Sequence, residues 1–289
     1  MGEIANLLCM KHETLASGPG WSVSDIVCTA GPRDRPFEEQ HGAVCIAAVT
    51  QGTFQYRTTQ GAVVLAPGAI LLGDAGHCFE CGHDHGTGDR CLAFHYAPAQ
   101  WEEIAAGVPG AKRSGFAVPR LPPLPHLVPL IAAGEAARDA REREAFEELS
   151  LRFAGAVIAL LAGTKQTDAQ PSHRDEKRIS DALRRIAAQS HERLALADLA
   201  DAAAMSRYHF LRTFRHVVGM TPHQFILRTR LHRAAVRLRR SDEAISDIAL
   251  ESGFDDLSTF NRRFRRIAGM SPGAYRTRTG GSAVRHPQR

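Results

Sequence analysis

The stretch HCFECGHDHGTGDRC, residues 77–91, sets three cysteines and three histidines within fifteen positions. Thiolate and imidazole are the donors of tetrahedral transition-metal sites, and Cys78-x2-Cys81 is a short bite suited to one ion. His83, His85 and Cys91 would supply the remaining donors. Soft sulfur with imidazole favours zinc, iron or copper(I) over magnesium or calcium. Glycines 82, 86 and 88 would let a loop fold these ligands around one point. Two other readings fit the same residues. Cys78 and Cys81 could form a reversible disulfide, one thiolate being activated by nearby histidines. Alternatively, Cys78 and Cys91 are small core residues on paired strands, and the histidines decorate a loop. Cys9, Cys28 and Cys45 stand apart in sequence and read as structural.

The elements that must position this cluster belong to a chain of 289 residues, long enough for two domains. No run approaches the roughly 20 apolar residues that span a bilayer, so no membrane association is expected. The start, MGEIANLLCMKHET, lacks the basic and apolar blocks of a secretion signal, and its sixth residue, Asn6, does not suit myristoylation. A cytoplasmic protein is expected, in which six cysteines mean thiols or ligands rather than a disulfide framework. Charge is uneven. Residues 1–172 hold 13 Lys/Arg against 19 Asp/Glu, net −6, while residues 173–289 hold 23 against 12, net +11. A basic half joined to an acidic one places any polyanion partner at the C-terminal end.

Texture divides the chain in the same place. Residues 21–96 carry short β-branched and aromatic runs broken by Gly and Pro, such as AVCIAAVTQGTFQYRT, which predict an antiparallel sandwich or barrel. Five prolines over 117–129 predict an extended connector. Phe146, Leu149, Phe153, Val157, Leu160 and Leu161 then recur at helical spacing over 130–163. Their stripe could cover the chain's own domain or meet the same helix of a second copy. The polar segment 164–176 reads as a linker, and 279–289 as a disordered tail.

Beyond the linker the chain repeats itself. Leu196, Asp198, Leu199, Ala200, Ala204 and Met205 correspond to Ile245, Asp247, Ile248, Ala249, Gly253 and Phe254 at a shift of 49. Phe210, Phe214, Gly219, Met220, Thr221 and Pro222 match Phe260, Phe264, Gly269, Met270, Ser271 and Pro272 at a shift of 50. Each copy predicts a short helix, a tight turn at a small residue, and a second helix capped by Ser206 or near Asp255. Phe210, Phe214 and Val217, and likewise Phe260, Phe264 and Ile267, mark an anchoring face. Arginines mark the other. This is the pattern of a helix-turn-helix, whose second helix is sized for a major groove. ILRTRLHRAAVRLRRS, 226–241, predicts a long helix holding two such units about one DNA turn apart.

GFDDLSTFNRRFRRIAGMSPGAYR, 253–276, resembles the signature of AraC/XylS-type transcriptional regulators, and the resemblance extends back to about residue 178. It implies an α+β multidomain protein. An N-terminal cupin-like β-barrel with a helical hairpin (1–163) would precede an all-α double helix-turn-helix DNA-binding domain (177–278). By position, base reading would fall on Tyr208 and Arg212, then on Ser258 and Arg262. Backbone contacts would come from Ser206, Thr259 and Arg263, with Arg207 also on the DNA-facing side. Leu257 departs from the often polar residue of relatives and would read fewer bases or meet a thymine methyl. The implied partners are double-stranded DNA, a small-molecule or metal effector, a second copy of the chain and RNA polymerase. VLAPGAILLGDAGH, 64–77, resembles a strand-turn pattern of cupin barrels, and His83-Asp84-His85 with Asp89 partly mimics their metal motif. The leading expectation is therefore a non-catalytic regulator, an activator in family usage, whose cysteine and histidine cluster is an input. Two enzyme alternatives are a cupin metalloenzyme joined to a DNA-binding domain and a DNA-alkylation repair protein with a metal-held cysteine. A third alternative is a nonspecific nucleic-acid binder.

Overall fold

In a computed structural model, the described residues are 9–36, 38–84, 86–111, 115–163 and 171–279. They form two compact units, divided between Thr167 and Asp168.

The first unit is built on two antiparallel sheets. One contains β1 (Met10–Gly18), β2 (Trp21–Cys28), β4 (Val44–Gly52), β7 (Ile70–Gly73), β9 (Asp89–Tyr96) and β10 (Arg120–Leu121), ordered β1-β2-β9-β4-β7-β10. The other contains β3 (Glu38–Gln40), β5 (Phe54–Thr58), β6 (Gly61–Leu65) and β8 (Cys78–Gly82), ordered β3-β8-β5-β6. Side chains alternate along strands, so one face of each sheet looks at the other. Cys45, Ala47, Val49, Leu71, Cys91 and Ala93 of the larger sheet meet Phe54, Tyr56 and Leu65 of the smaller in one core.

The far face of the larger sheet is buried as well. Helices α1 (Pro98–Ala106), α2 (Val128–Asp139) and α3 (Ala145–Leu161) follow the strands. Phe94 stacks on Phe153 of α3 at 4.8 Å between ring centroids. The Tyr96 hydroxyl donates to the Ser150 carbonyl at 2.8 Å. Burial on both faces explains why β4 and β9 read as near-continuous apolar runs. The 117–129 segment does hold the short β10, and the helical region breaks into a hairpin at Arg141, whose φ is +54°. The stripe of α3 packs inward: Phe146, Leu149, Phe153 and Val157 are all buried. Most of its apolar face therefore covers its own unit, while Leu160 is half-buried and Leu161 at its end is exposed.

The second unit is all helical: α4 (His173–Gln189), α5 (Leu196–Ala202), α6 (Arg207–Val218), α7 (Pro222–Arg240), α8 (Ile245–Glu251), α9 (Leu257–Ala268) and α10 (Pro272–Thr279). Helix α4 opens at Ser172, whose side chain accepts from the Asp175 N–H. The end of the expected linker, His173–Glu176, is thus a helical first turn, stabilised by an N-cap and two acidic residues. Residues 164–170 and most of the expected tail, 280–289, lie outside the described residues.

Candidate functional site

The two sequence repeats are two helix-turn-helix units, α5–α6 and α8–α9. Their short first helices end in turns at Ala204 and Gly253, both with positive φ. Ser206 caps α6 through the His209 N–H at 3.3 Å. Asp256, one residue past the expected position, caps α9 through the Thr259 N–H at 2.7 Å. That hydrogen bond is also the main reason the Asp256 carboxyl is held below its ordinary range. Both second helices end at left-handed glycines, Gly219 and Gly269.

Helix α7 has 19 residues and is about 28 Å long at 1.5 Å per residue. Thr221 and Gln224 form a reciprocal capping box at its start. Leu231, Ala234 and Leu238 enter the core of the second unit with Phe254, Phe260 and Phe264. Phe225 meets Phe214 of the first helix-turn-helix edge-on at 6.0 Å. Its polar residues are fastened too. Arg230 donates to the Ser190 and Glu192 carbonyls at 2.6 and 2.9 Å, and Arg237 pairs with Glu243 and Glu251. The rod thus contacts both helix-turn-helix cores.

The two second helices present different surfaces. On α9, Leu257, Ser258, Arg262, Arg265 and Arg266 are exposed and Thr259 is half-buried. Phe260 and Phe264 point inward. On α6, Ser206, Arg207 and Arg212 are half-buried, whereas Arg215 and His216 are exposed. Two expected contact residues need correction. Tyr208 is 5% exposed and Arg263 7%, so neither presents its side chain to solvent. Arg263 lies three residues after Phe260, on the flank that faces the core, and its counterpart in the first copy, Thr213, is buried too.

The cysteine and histidine cluster is rearranged more thoroughly. Phe79 and Cys81 of β8 pack on the inter-sheet core, so Cys78, at odd separation from both, points out and is exposed. The expected Cys78/Cys81 pair is split across the two faces of one strand. It can neither chelate one ion nor close a disulfide without breaking β8. His85 lies outside the described residues. His83 and Cys91 remain, and both converge on Asp89. His83 Nε2 is 2.7 Å from Asp89 Oδ1, and the Cys91 thiol donates to Oδ2 at 3.4 Å. Cys28, read from sequence as merely structural, joins them. One donor atom each from Cys28, His83 and Asp89 lies within 4.8 Å of the other two.

These residues line a cavity of about 290 Å³ between the sheets, together with Cys45, Cys81, His41 and His95. Its walls suppress charge. Burial pushes the Cys45 thiol up to about 12, and Cys81 and Cys91 well above the ordinary thiol range. Burial raises Cys28 also, against the Ala30 N–H that donates to its sulfur. Burial lowers His41 to about 4, with His95 and His77 adding repulsion. Cys78 is raised as well, so none of these five thiols is activated as a thiolate, contrary to the thiol-switch expectation. Asp84 of the cupin-like motif turns outward to Arg57 at 2.7 Å.

No helix of the described residues is long and apolar enough to cross a membrane. Comparison with known proteins places the second unit. The family described as "Helix-turn-helix domain" matches residues 199–278. The HTH-type transcriptional activator AarP of Providencia stuartii is 37% identical over 98 residues, 34% of this chain and 73% of that protein. The transposon Tn10 TetD protein of Escherichia coli is 38% identical over 98 residues, 34% of this chain and 71% of its own. The chain matches only about a third of larger relatives. An uncharacterized HTH-type transcriptional regulator of Bacillus subtilis, YbfP, is 36% identical over 102 residues, 35% of each protein. A solved DNA-binding domain of the transcriptional factor AdpA, in complex with a target DNA, is 33% identical over 37% of this chain and 93% of that one, with a TM-score of 0.33. AarP and YbfP are named as regulators of transcription. With two helix-turn-helix units in the matched segment and a relative matched over most of its length, the chain belongs to the AraC/XylS family of transcriptional regulators.

Proposed function

We propose that this protein is a sequence-specific regulator of transcription, in which the helical unit binds double-stranded DNA and the two-sheet unit, read as a cupin-like sensor, responds to an effector. The supporting observation is the polarity of α9. Its inner face is fixed by Phe260 and Phe264, while Leu257, Ser258, Arg262, Arg265 and Arg266 stand on the surface. An arginine fork held by an anchored helix suits the O6 and N7 edge of guanine, and flanking arginines suit phosphates. Arg262 and Ser258 are assigned to base reading, with Leu257 against a thymine methyl. Thr259, Arg207 and Ser206 contact the backbone, and Arg212 reads from α6. A second copy of the chain and RNA polymerase are the protein partners this reading implies. The 290 Å³ cavity supports a small effector rather than a macromolecular one.

The test is binding to duplexes selected from a random library, measured by fluorescence anisotropy at fixed salt. Arg262→Ala should lose about 1–3 kcal/mol, roughly 5- to 150-fold, mainly at one base pair. Arg266→Ala should weaken all sequences alike and flatten the salt dependence by about one phosphate contact. If Arg262→Ala weakens every sequence equally, the protein is a nonspecific binder and the proposal fails.

A further inference from the structure

Three unlike donors meet at one end of the inter-sheet cavity. Cys28 ends β2 and pairs in register with Asp89, the first residue of β9. His83 directly follows β8. The approach of these segments depends on Gly88, which has φ +70° and where a β-carbon would stand 2.8 Å from the Cys28 carbonyl oxygen. The side chains of His83 and Asp89 are 3% and 8% exposed, and Cys28 is half-buried.

A His–Asp hydrogen bond alone could be structural. The addition of the thiol is what gives the group its chemistry. Donors held about 2.0–2.3 Å from a tetrahedral ion stand roughly 3.3–3.8 Å apart. The atoms here all lie within 4.8 Å of one another, and the 2.7 Å His83–Asp89 contact would open to that spacing around an ion. One sulfur, one imidazole nitrogen and one carboxylate oxygen suit a borderline ion such as zinc and disfavour magnesium or calcium. All three residues line the cavity, which leaves a fourth coordination position facing its interior. The Cys91 thiol, donating to the second Asp89 oxygen, orients the carboxylate as an outer partner.

We propose that Cys28, His83 and Asp89 form a three-donor site for a zinc-like divalent transition ion, open on its fourth side to the inter-sheet cavity. On binding, the Cys28 thiol gives its proton to solvent, while His83 coordinates as neutral imidazole and Asp89 as carboxylate. Metal binding is independent of how the helical unit works. Only its regulatory meaning rests on the sensor reading above.

Titrating reduced full-length protein with cobalt(II) tests the site directly. One cobalt per chain should produce a thiolate-to-cobalt charge-transfer absorption and the intense visible bands of a tetrahedral ion, and zinc should displace it. Cys28→Ser should abolish the charge-transfer band. His83→Gln and Asp89→Asn should each weaken cobalt binding about tenfold or more. Cys78→Ser, on the outer face of β8, should change nothing. Because a core variant could misfold, unmodified protein gives a second readout: zinc should slow alkylation of Cys28 but not of Cys78, as mapped by mass spectrometry. Absence of the thiolate band, its survival in Cys28→Ser, its loss in Cys78→Ser, or unchanged alkylation of Cys28 would each overturn the site. If the site binds metal but zinc leaves affinity for the selected duplex unchanged, the sensor role falls and the site stands.

Discussion

The turn of the second helix-turn-helix unit makes a demand that the first does not, and Gly253→Ala measures it. Gly253 has φ +94°, where a β-carbon costs about 1–2 kcal/mol. The added carbon would also stand 2.8 Å from Arg230 Nε, 2.9 Å from the His191 carbonyl oxygen and 3.0 Å from His191 Cα. Two of those atoms are backbone. The third belongs to a guanidinium already hydrogen-bonded to the Ser190 and Glu192 carbonyls, so none can swing aside cheaply. Overfilling a tight contact adds about 1–3 kcal/mol, and the two effects together give roughly 2–5 kcal/mol. With a urea dependence of about 2 kcal/mol per molar, the midpoint should fall by about 1–2.5 M. Far-ultraviolet circular dichroism of the full-length chain follows the helical unit. The first unit supplies the reverse experiment, since it places Ala204 at φ +50° with its side chain exposed. Ala204→Gly should be neutral or stabilising by up to about 1 kcal/mol. If Gly253→Ala unfolds within about 0.5 kcal/mol of the parent, the turn is not held by these contacts and the reasoning is wrong.

Two further predictions concern the two-sheet unit. His41 lies against Tyr56 at 2.8 Å and stacks on Phe79, and burial holds it at about 4 against an ordinary 6.5. The unfolded chain takes up that proton first, so the stability His41 contributes is complete above pH 6.5 and lost as pH falls toward 4, by up to about 3 kcal/mol. Urea midpoints between pH 7 and 4.5 should show this slope, reduced in His41→Gln; an equal slope in both would assign it elsewhere, for instance to His95, which burial also lowers. Tyr96→Phe removes the buried hydrogen bond to Ser150 on α3 and should cost about 1–2 kcal/mol in thermal unfolding, with no change in DNA affinity.

The repeat made the helical half legible before any coordinates. Its cores are local, its turns are marked by Ala204 and Gly253, and the helical period places Phe210, Phe214, Phe260 and Phe264 inside by counting alone. Counting also places Arg263 on the flank of Phe260, but it does not account for the burial of Tyr208. The strand half was legible as strands but not as a site. Closeness in sequence suggested that Cys78 and Cys81 act together, yet the two-residue period of β8 sends them apart. Cys28 carried no usable signal, because its nearness to Asp89 arises from strand pairing across sixty residues, and register cannot be read from one sequence. Asp89 was visible only as an acid trailing two histidines.

The larger sheet distributes bulk unequally between its faces. On the helix side β9 carries Leu92, Phe94 and Tyr96, whereas toward the smaller sheet it carries Cys91 and Ala93, and β4 adds Cys45 and Ala47. Along β4 and β9 the hollow is therefore floored largely by small side chains, Cys45, Ala47, Cys91 and Ala93, while the bulky ones hold the helices on. Its size can be altered two carbons at a time, by exchanging Ala47 or Ala93 for valine, without disturbing the layer that keeps α3 in place. What the chamber admits and what keeps the domain folded are written on opposite sides of the same two strands.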